Sequence, residues 1–346
     1  MLLNIVENDA FSLVSMTDAI NKVEFVPNQL GAMGIFSPAP IRSKSLVIDV
    51  RAGAVKMVAT TSRGEPIESR DKRRKAQLKS FQTARVAVKD RVTADDLAFL
   101  REFGTEDQPK ELGTEIALRQ NQDGNGLMGD IDLTKEFMRI GAVRGKLYDT
   151  DGVTVLYDYF NEMDVSAPSA LTMNMTTLVN GKFRTAVANS VVRYMEKNAK
   201  GARYSKIIAL CGSGAYDKLH ENAEFREAHL AQIKANELLN DHRNAPTNFA
   251  GVEWVEYRGT DDGSTVDLGD NEVLFIPAGE GNTVFKEVQA PGEKFSHLGQ
   301  LGKAFYSWLK WEEDEDPSWV DIHVASYMLM LNTRPEMVRQ ATFTTS

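Results

Sequence analysis

Residues 131–160 read IDLTKEFMRIGAVRGKLYDTDGVTVLYDYF, and the hydrophobic period changes once within them. Leu133, Phe137, Ile140, Val143 and Leu147 recur at steps of three and four, which places them in one apolar stripe on a helix. Lys135, Glu136, Arg139 and Arg144 fall mostly on the other faces. Asp130, Asp132 and Glu136 lie toward the helix start and Arg139, Arg144 and Lys146 toward its end, the order the helix dipole favours. Asp149-Thr150-Asp151-Gly152 is a turn signal. Beyond it Val153, Val155, Tyr157 and Tyr159 alternate with Thr154, Leu156 and Asp158, the period of a strand. A charged helix with one apolar face therefore runs through a tight turn into a strand, an α+β core unit.

The rest of the chain can be placed around that unit. With 346 residues it can bury a large core, expected as two subdomains. Cys211 is the one cysteine, so no internal disulfide can form, which fits folding in a reducing cytoplasm. No apolar run reaches the roughly 18 residues of a membrane span. The N-terminal stretch has no basic leader and contains Glu7 and Asp9, so it does not read as a signal peptide. The formal net charge is −9, whereas a protein whose main task is gripping DNA is usually basic.

In chain order, residues 1–45 show little periodicity, and Pro27, Gly31, Gly34, Pro38 and Pro40 break any long element. Leu13, Phe25, Leu30, Ile35 and Phe36 are scattered through this stretch, as suits an arm laid across another surface. Residues 46–60 predict two strands about a turn at Ala52-Gly53. Arg63-Gly64-Glu65-Pro66 follows, then the basic run Arg70, Asp71, Lys72, Arg73, Arg74 and Lys75. A long hairpin with little to pack on in its own chain is marginal alone, so it is expected to lie on a neighbour. Thr93 is placed to cap a helix that Gly104 stops, and residues 112–119 predict a shorter one. Helices are expected at 182–197, 216–220 and 223–235, and strands at 205–211, 252–257 and 272–277. The tail from 322 is strand-rich and carries Arg334-Pro335, and it follows an unbroken acidic run, Glu312, Glu313, Asp314, Glu315 and Asp316.

Several short signals fail on inspection. Residues 141–147, GAVRGKL, are one position short of a phosphate loop and lack its Ser or Thr. Cys211-Gly212-Ser213-Gly214 falls between a strand and a helix as a dinucleotide fingerprint should, but Asp217 stands where the third glycine belongs and would repel pyrophosphate. Ser213 makes no nucleophile elbow, and His220-Glu221 begins a zinc-helix pattern that Glu224 ends. Cys211 reads as a small buried hydrophobe. Asn121, Asp123, Asn125, Gly126 and Asp132 have calcium-loop spacing, but Asn121 and Asp132 replace the preferred Asp and bidentate Glu. No catalytic residue, cofactor or metal ligand is assigned from these motifs.

Thr134-Lys135-Glu136, Arg139, Gly141-Ala142, Gly145 and Asp151-Gly152 resemble the spine helix and following strand of tailed-phage major capsid proteins of the phage lambda type, the capsid E family. The Arg-Gly-x-Pro element at 63–66, the basic stretch after it and Arg101-Glu102-Phe103-Gly104 match the same pattern in the same order, so the resemblance runs from about residue 46 to 340. It implies the Hong Kong phage-type shell fold, shared with herpesvirus capsids. The expected divisions are an N-terminal arm at 1–45, an extended β-hairpin loop and basic segment at 46–92, and a peripheral domain with the spine helix at 93–165. An axial α/β domain at 166–321 and C-terminal strands returning to the peripheral domain at 322–346 complete it.

The resemblance also implies a function: self-assembly into the hexamers and pentamers of an icosahedral shell around double-stranded DNA. The partners expected are copies of the chain itself, a scaffold, the portal, a decoration protein and, without sequence preference, packaged DNA. No membrane partner is expected, and the location is the virion, after assembly in the host bacterial cytoplasm. The working groups would be interfacial: the arm, the hairpin, the basic run and the axial-domain tips, with Arg63, Arg70, Lys72, Arg73, Arg74, Lys75 and the acidic run 312–316 as contact candidates. Apart from the resemblance, the opposite charges suggest that the two runs face each other between chains. Two rival readings are a nanocompartment shell of the encapsulin type and an α/β nucleotide-binding enzyme built on residues 208–218.

Overall fold

The architecture is organised around one long strand, Trp319–Asn332. In the computed structural model, which describes residues 29–50, 77–99, 112–121, 126–236, 246–258, 267–314 and 316–345, this strand is the centre of a five-stranded sheet. Ala84–Thr93 runs antiparallel along one side of it. On the other side Tyr306–Trp311 covers residues 320–325 and Phe285–Gln289 covers 328–332. Ser37–Pro40 joins the edge in parallel with Phe285–Gln289. Val320, Ile322 and Val324 point from one face of the sheet into a core with Leu112, Ile116, Leu127, Met128 and Ile131.

A second, six-stranded mixed sheet has the order Leu171–Asn174, Arg339–Thr344, Glu272–Ala278, Lys206–Cys211, Val252–Glu256, Thr247–Phe249. Both of its faces are covered. Ile207, Ala209, Cys211, Val273 and Phe275 pack under the surrounding helices, while Ile208, Leu210, Leu274 and Ile276 join the core behind the long helix. Burial on two sides is why Lys206–Cys211 reads as a near-continuous apolar run rather than an alternating one. The boundary expected at 321 does not follow the pairing. Residues 285–289 and 306–311 belong to the first sheet, and the last strand, Arg339–Thr344, belongs to the second. The expected helix 182–197 is present as Lys182–Val187 and Arg193–Asn198 joined by one π turn, Ala188–Val192.

The long helix spans Leu127–Arg144, starting six residues before Leu133, the first of its apolar stripe. It ends at Gly145, which takes φ +89° and donates its N–H to Ala142 O at 3.1 Å. A side chain there would collide with the Phe160 ring. Gly141 is needed for the same reason of approach: a Cβ would lie 2.8 Å from Lys146 O, because Lys146–Tyr148 folds back along the helix to pair with Val155–Asp158. Leu147 is therefore on a strand, and Tyr159 opens a single helical turn, Tyr159–Glu162.

Two other expectations meet the structure differently. Thr93 caps the short helix Ala94–Phe99 as its sequence predicts: the Asp96 N–H donates to Thr93 Oγ1 at 3.2 Å and the Thr93 N–H to Asp96 Oδ2 at 3.1 Å. The hairpin strand Ser45–Val50 pairs with Gln77–Gln82, and the second strand expected at 54–60 lies outside the described residues. The turn expected at Ala52-Gly53 lies outside the described residues. Phe81 decides this register. It is fully buried against Tyr157 and Tyr159, so the returning strand is held at 77–82 by aromatic packing on the body.

Candidate assembly surfaces and the buried ion cluster

The faces of the long helix are not divided as its charge pattern suggests. Lys135, Glu136 and Arg139 are all buried, and each is held by a partner. Lys135 Nζ lies 3.1 Å from Asp132 Oδ1 and 3.5 Å from the centroid of the Phe305 ring. Arg139 reaches two carboxylates, Glu136 Oε2 at 3.1 Å and Glu287 Oε2 at 2.9 Å. Glu136 Oε1 accepts in addition from the Leu30 N–H at 2.6 Å and the Tyr257 hydroxyl at 3.2 Å. The physical reason is that a buried charge is tolerated only when paired and hydrogen-bonded, and here the partners come from distant parts of the chain. One carboxylate thus ties the helix to the N-terminal stretch and to the end of Val252–Glu256. Gln29 adds to that tie, donating from Nε2 to Glu256 O at 2.6 Å and accepting from the Arg258 N–H at 3.0 Å.

The electrostatics of the cluster follow from burial set against pairing. Burial alone would raise the Glu287 carboxyl, but Arg139 and Lys135 outweigh it and hold the group below its ordinary value. Asp132 goes the other way: burial raises it, and Lys135 beside it only partly opposes that. Burial likewise lowers the Lys135 ammonium, against the pull of Asp132 and Glu287.

The predicted contact groups divide between described and undescribed parts of the chain. Arg63, Arg70, Lys72, Arg73, Arg74, Lys75 and Glu315 lie outside the described residues. Glu312, Glu313, Asp314 and Asp316 sit in the connection between Tyr306–Trp311 and Trp319–Asn332. Glu313, Asp314 and Asp316 are exposed there. Glu312 works locally. Its Oε2 accepts from the Ser318 hydroxyl at 2.6 Å and the Ser318 N–H at 2.8 Å, which closes the turn and lowers the carboxyl's proton affinity.

The nucleotide-binding alternative meets a steric answer. Gly212 abuts Gly269 O so closely that no Cβ fits, and the Ala215 N–H at the start of Ser213–Glu221 donates to Asp270 O at 2.7 Å. The chain's own backbone fills the place a pyrophosphate would take. Cys211 is fully buried, and burial pushes its thiol up. Asp132, the last position of the calcium-like spacing, is engaged by Lys135, and residues 122–125 lie outside the described set. Among the described residues no group of three or more His, Cys, Asp or Glu could hold a metal ion.

A long helix against a central sheet, a hairpin leaving that sheet and a second mixed sheet behind the helix define a coat subunit of the Hong Kong phage-type shell fold. A capsid protein of an Escherichia coli CFT073 prophage superposes over 96% of this chain and 99% of its own, with a TM-score of 0.54 at 12% identity. The mature capsid of bacteriophage PhiM1 superposes over 94% of this chain and 90% of its own, with a TM-score of 0.52 at 10% identity. The family model for phage major capsid protein E matches residues 12–343, and the chain belongs to that family. The major capsid protein of Salmonella phage Felix O1 is 23% identical over 96% of both chains, and that of Pseudomonas phage KPP10 is 25% identical over 84% of this chain and 86% of its own. The protein is therefore a major capsid protein of a phage shell and a structural component of the virion.

Proposed function

We propose that this capsid protein closes hexamers and pentamers of one chain into an icosahedral shell around double-stranded DNA. The family match over residues 12–343 carries the reading. A second support is the hairpin of Ser45–Val50 and Gln77–Gln82, which among the described residues forms a two-stranded sheet of its own and belongs to neither large sheet. Assembly takes place in the host cytoplasm, with a scaffold, the portal and a decoration protein as further partners. The five-stranded sheet with its long helix forms the peripheral domain and the six-stranded sheet the axial domain. Of the arm expected at 1–45, residues 29–45 are bound into this body, with Leu30, Ile35 and Phe36 buried and Ser37–Pro40 an edge strand. No residue has a catalytic role in this reading, and no cofactor or metal is required. Electron microscopy of the purified protein, expressed alone and with its scaffold, tests the reading. Capsomers, tubes or closed shells are expected, and a monodisperse monomer across protein concentration, salt and scaffold conditions would refute it.

The charge runs supply the register between subunits. Arg70, Lys72, Arg73, Arg74 and Lys75 of one copy face Glu313, Asp314, Glu315 and Asp316 of the next, with Arg63 at the hairpin and Glu312 shaping the acidic turn. Each run repels itself in isolation, and opposed runs steer association and fix register more than they add affinity. One exposed pair is worth only about 0–1 kcal/mol, but a shell repeats it at every equivalent contact. Arg73→Glu with Arg74→Glu should leave the subunit folded and soluble and block shell formation. Reversing Glu313 and Asp314 to lysine in the same chain should restore part of it. Wild-type assembly by the double mutant at physiological salt would mean the basic run is a solvated face.

A further inference from the structure

The strand order leaves an excursion between Phe285–Gln289 and Tyr306–Trp311. Both strands pair with the same side of Trp319–Asn332, so residues 290–305 leave that edge and return to it. The excursion is pinned along its length. The Ala290 N–H donates to Tyr327 O at 2.8 Å and the Gly302 N–H to Ile41 O at 2.9 Å. Arg42 Nη1 donates to Gly299 O at 2.8 Å, and the Lys303 N–H donates to the Tyr306 hydroxyl at 3.0 Å. The His297 ring is buried 4.5 Å from that of Tyr306. Yet this tethered loop turns three large apolar side chains outward: Phe295 is 93% exposed, Leu298 70% and Leu301 49%. Ordered apolar groups held in water at steps of three are the pattern of an interaction anchor, since a rigid anchor loses little conformational freedom on docking.

The sheet beside the loop says what kind of surface covers it. Its face away from the long helix carries Trp308, stacked on His323 at 5.2 Å, with Lys294 Nζ 5.0 Å above the indole. Asp321 on that face is gripped by Arg91 at 2.6 Å and Lys89 at 3.7 Å, and Arg85 lies 3.8 Å from Glu293. Lys310 pairs in register with Asp321 on the same face. Arg85, Lys89, Arg91, Lys294 and Lys310 outnumber Asp321, Glu293 and Glu312, which lies near Arg91, while the chain as a whole carries −9. The rest of the chain therefore carries a net negative charge, complementary to this face. We propose that the Phe295–Leu298–Leu301 knob and the basic sheet face beside it are a docking surface for a second copy of this chain, with Phe295 as the anchor. A nucleic acid fits less well, because the three side chains of the knob offer no charge for phosphate and two of the three, Leu298 and Leu301, have no ring to stack on a base.

The inference rests on the shell-forming reading above, and the test keeps the two apart. Phe295 is replaced by the photo-crosslinking residue p-benzoylphenylalanine in the full chain, and assembled particles are irradiated. Covalent dimers of the chain are expected. Adducts to nucleic acid or to another protein, or no adduct, would overturn the assignment. In parallel, Phe295→Ser with Leu298→Ser should keep the wild-type circular dichroism and melting curve and need at least about tenfold more protein to assemble. Phe295→Leu should recover most of that loss. Assembly of the serine variant at the wild-type concentration overturns the inference alone, whereas failure of the wild type itself to form capsomers or shells overturns the function reading and the inference with it.

Discussion

Arg139 lies between Glu136 and Glu287, and all three side chains are buried. A buried ion pair adds little net stability when complete, because desolvation offsets most of its attraction; removing one member is a different matter, since it leaves an uncompensated charge in a dry site. Arg139→Met should therefore cost about 3–5 kcal/mol in urea unfolding of the subunit, and adding Glu287→Met should return part of that. The same geometry sets a pH dependence. Arg139 and Lys135 hold the Glu287 carboxyl below its ordinary value against the opposing effect of burial. A carboxyl depressed in the folded state stabilises above its unfolded value and loses that contribution as pH falls through the folded one. Stability of the subunit should thus fall as pH drops below 4.5, the unperturbed glutamate value, and Glu287→Gln should flatten this limb. Asp132, raised by burial, acts with the opposite sign and makes the limb shallower. Calorimetric melting across that range reads both effects.

Among the described residues, the hairpin strands Ser45–Val50 and Gln77–Gln82 are tied to the body through side chains rather than through a shared sheet. Phe81 packs under Tyr157 and Tyr159, and the Tyr157 hydroxyl accepts from the Gln82 N–H at 2.8 Å. Phe81→Ala should cost about 3–5 kcal/mol in the packing of this unit. Hydrogen exchange should then show lost protection at 45–50 and 77–82, with Trp319–Asn332 unchanged. The elements that sequence made legible are those whose signal is local. The helix at 127–144 announces itself by a run of periodic apolar residues, Lys206–Cys211 by a buried run, and Ala94–Phe99 by the Thr93 cap. What stayed hidden depends on partners far along the chain. Glu136 meets Leu30 and Tyr257, and Arg139 meets Glu287, so a charge pattern that looks solvated is in fact internal. The hairpin register is hidden for the same reason, because it is set by an aromatic contact between residues 81 and 157–159. The exposed knob at 295–301 left a trace in the sequence, three apolar residues in a Gly- and Lys-rich loop, but only burial distinguishes an outward Phe from a core one.

For the molecule as a whole, a chain of net charge −9 must bring many copies together. Uniform repulsion would make added salt help assembly, by screening. The proposed contacts between opposed charge runs, and between the basic sheet face and a second copy, work in the other sense. The initial rate of assembly should therefore fall as ionic strength rises, by light scattering at fixed protein concentration; a rate that climbs steadily with salt would mean repulsion governs encounter. The route of the backbone adds something else. It passes directly between the two sheets at 279–284 and again at 333–338, so two short covalent straps join them, and the Glu136 carboxylate braces the joint from within. A tile strapped in this way carries tension as a truss does, sharing it among parallel members instead of passing it through one hinge. Pull on either end of such a tile and the load is shared by parallel members, which is the behaviour a closed shell asks of its wall.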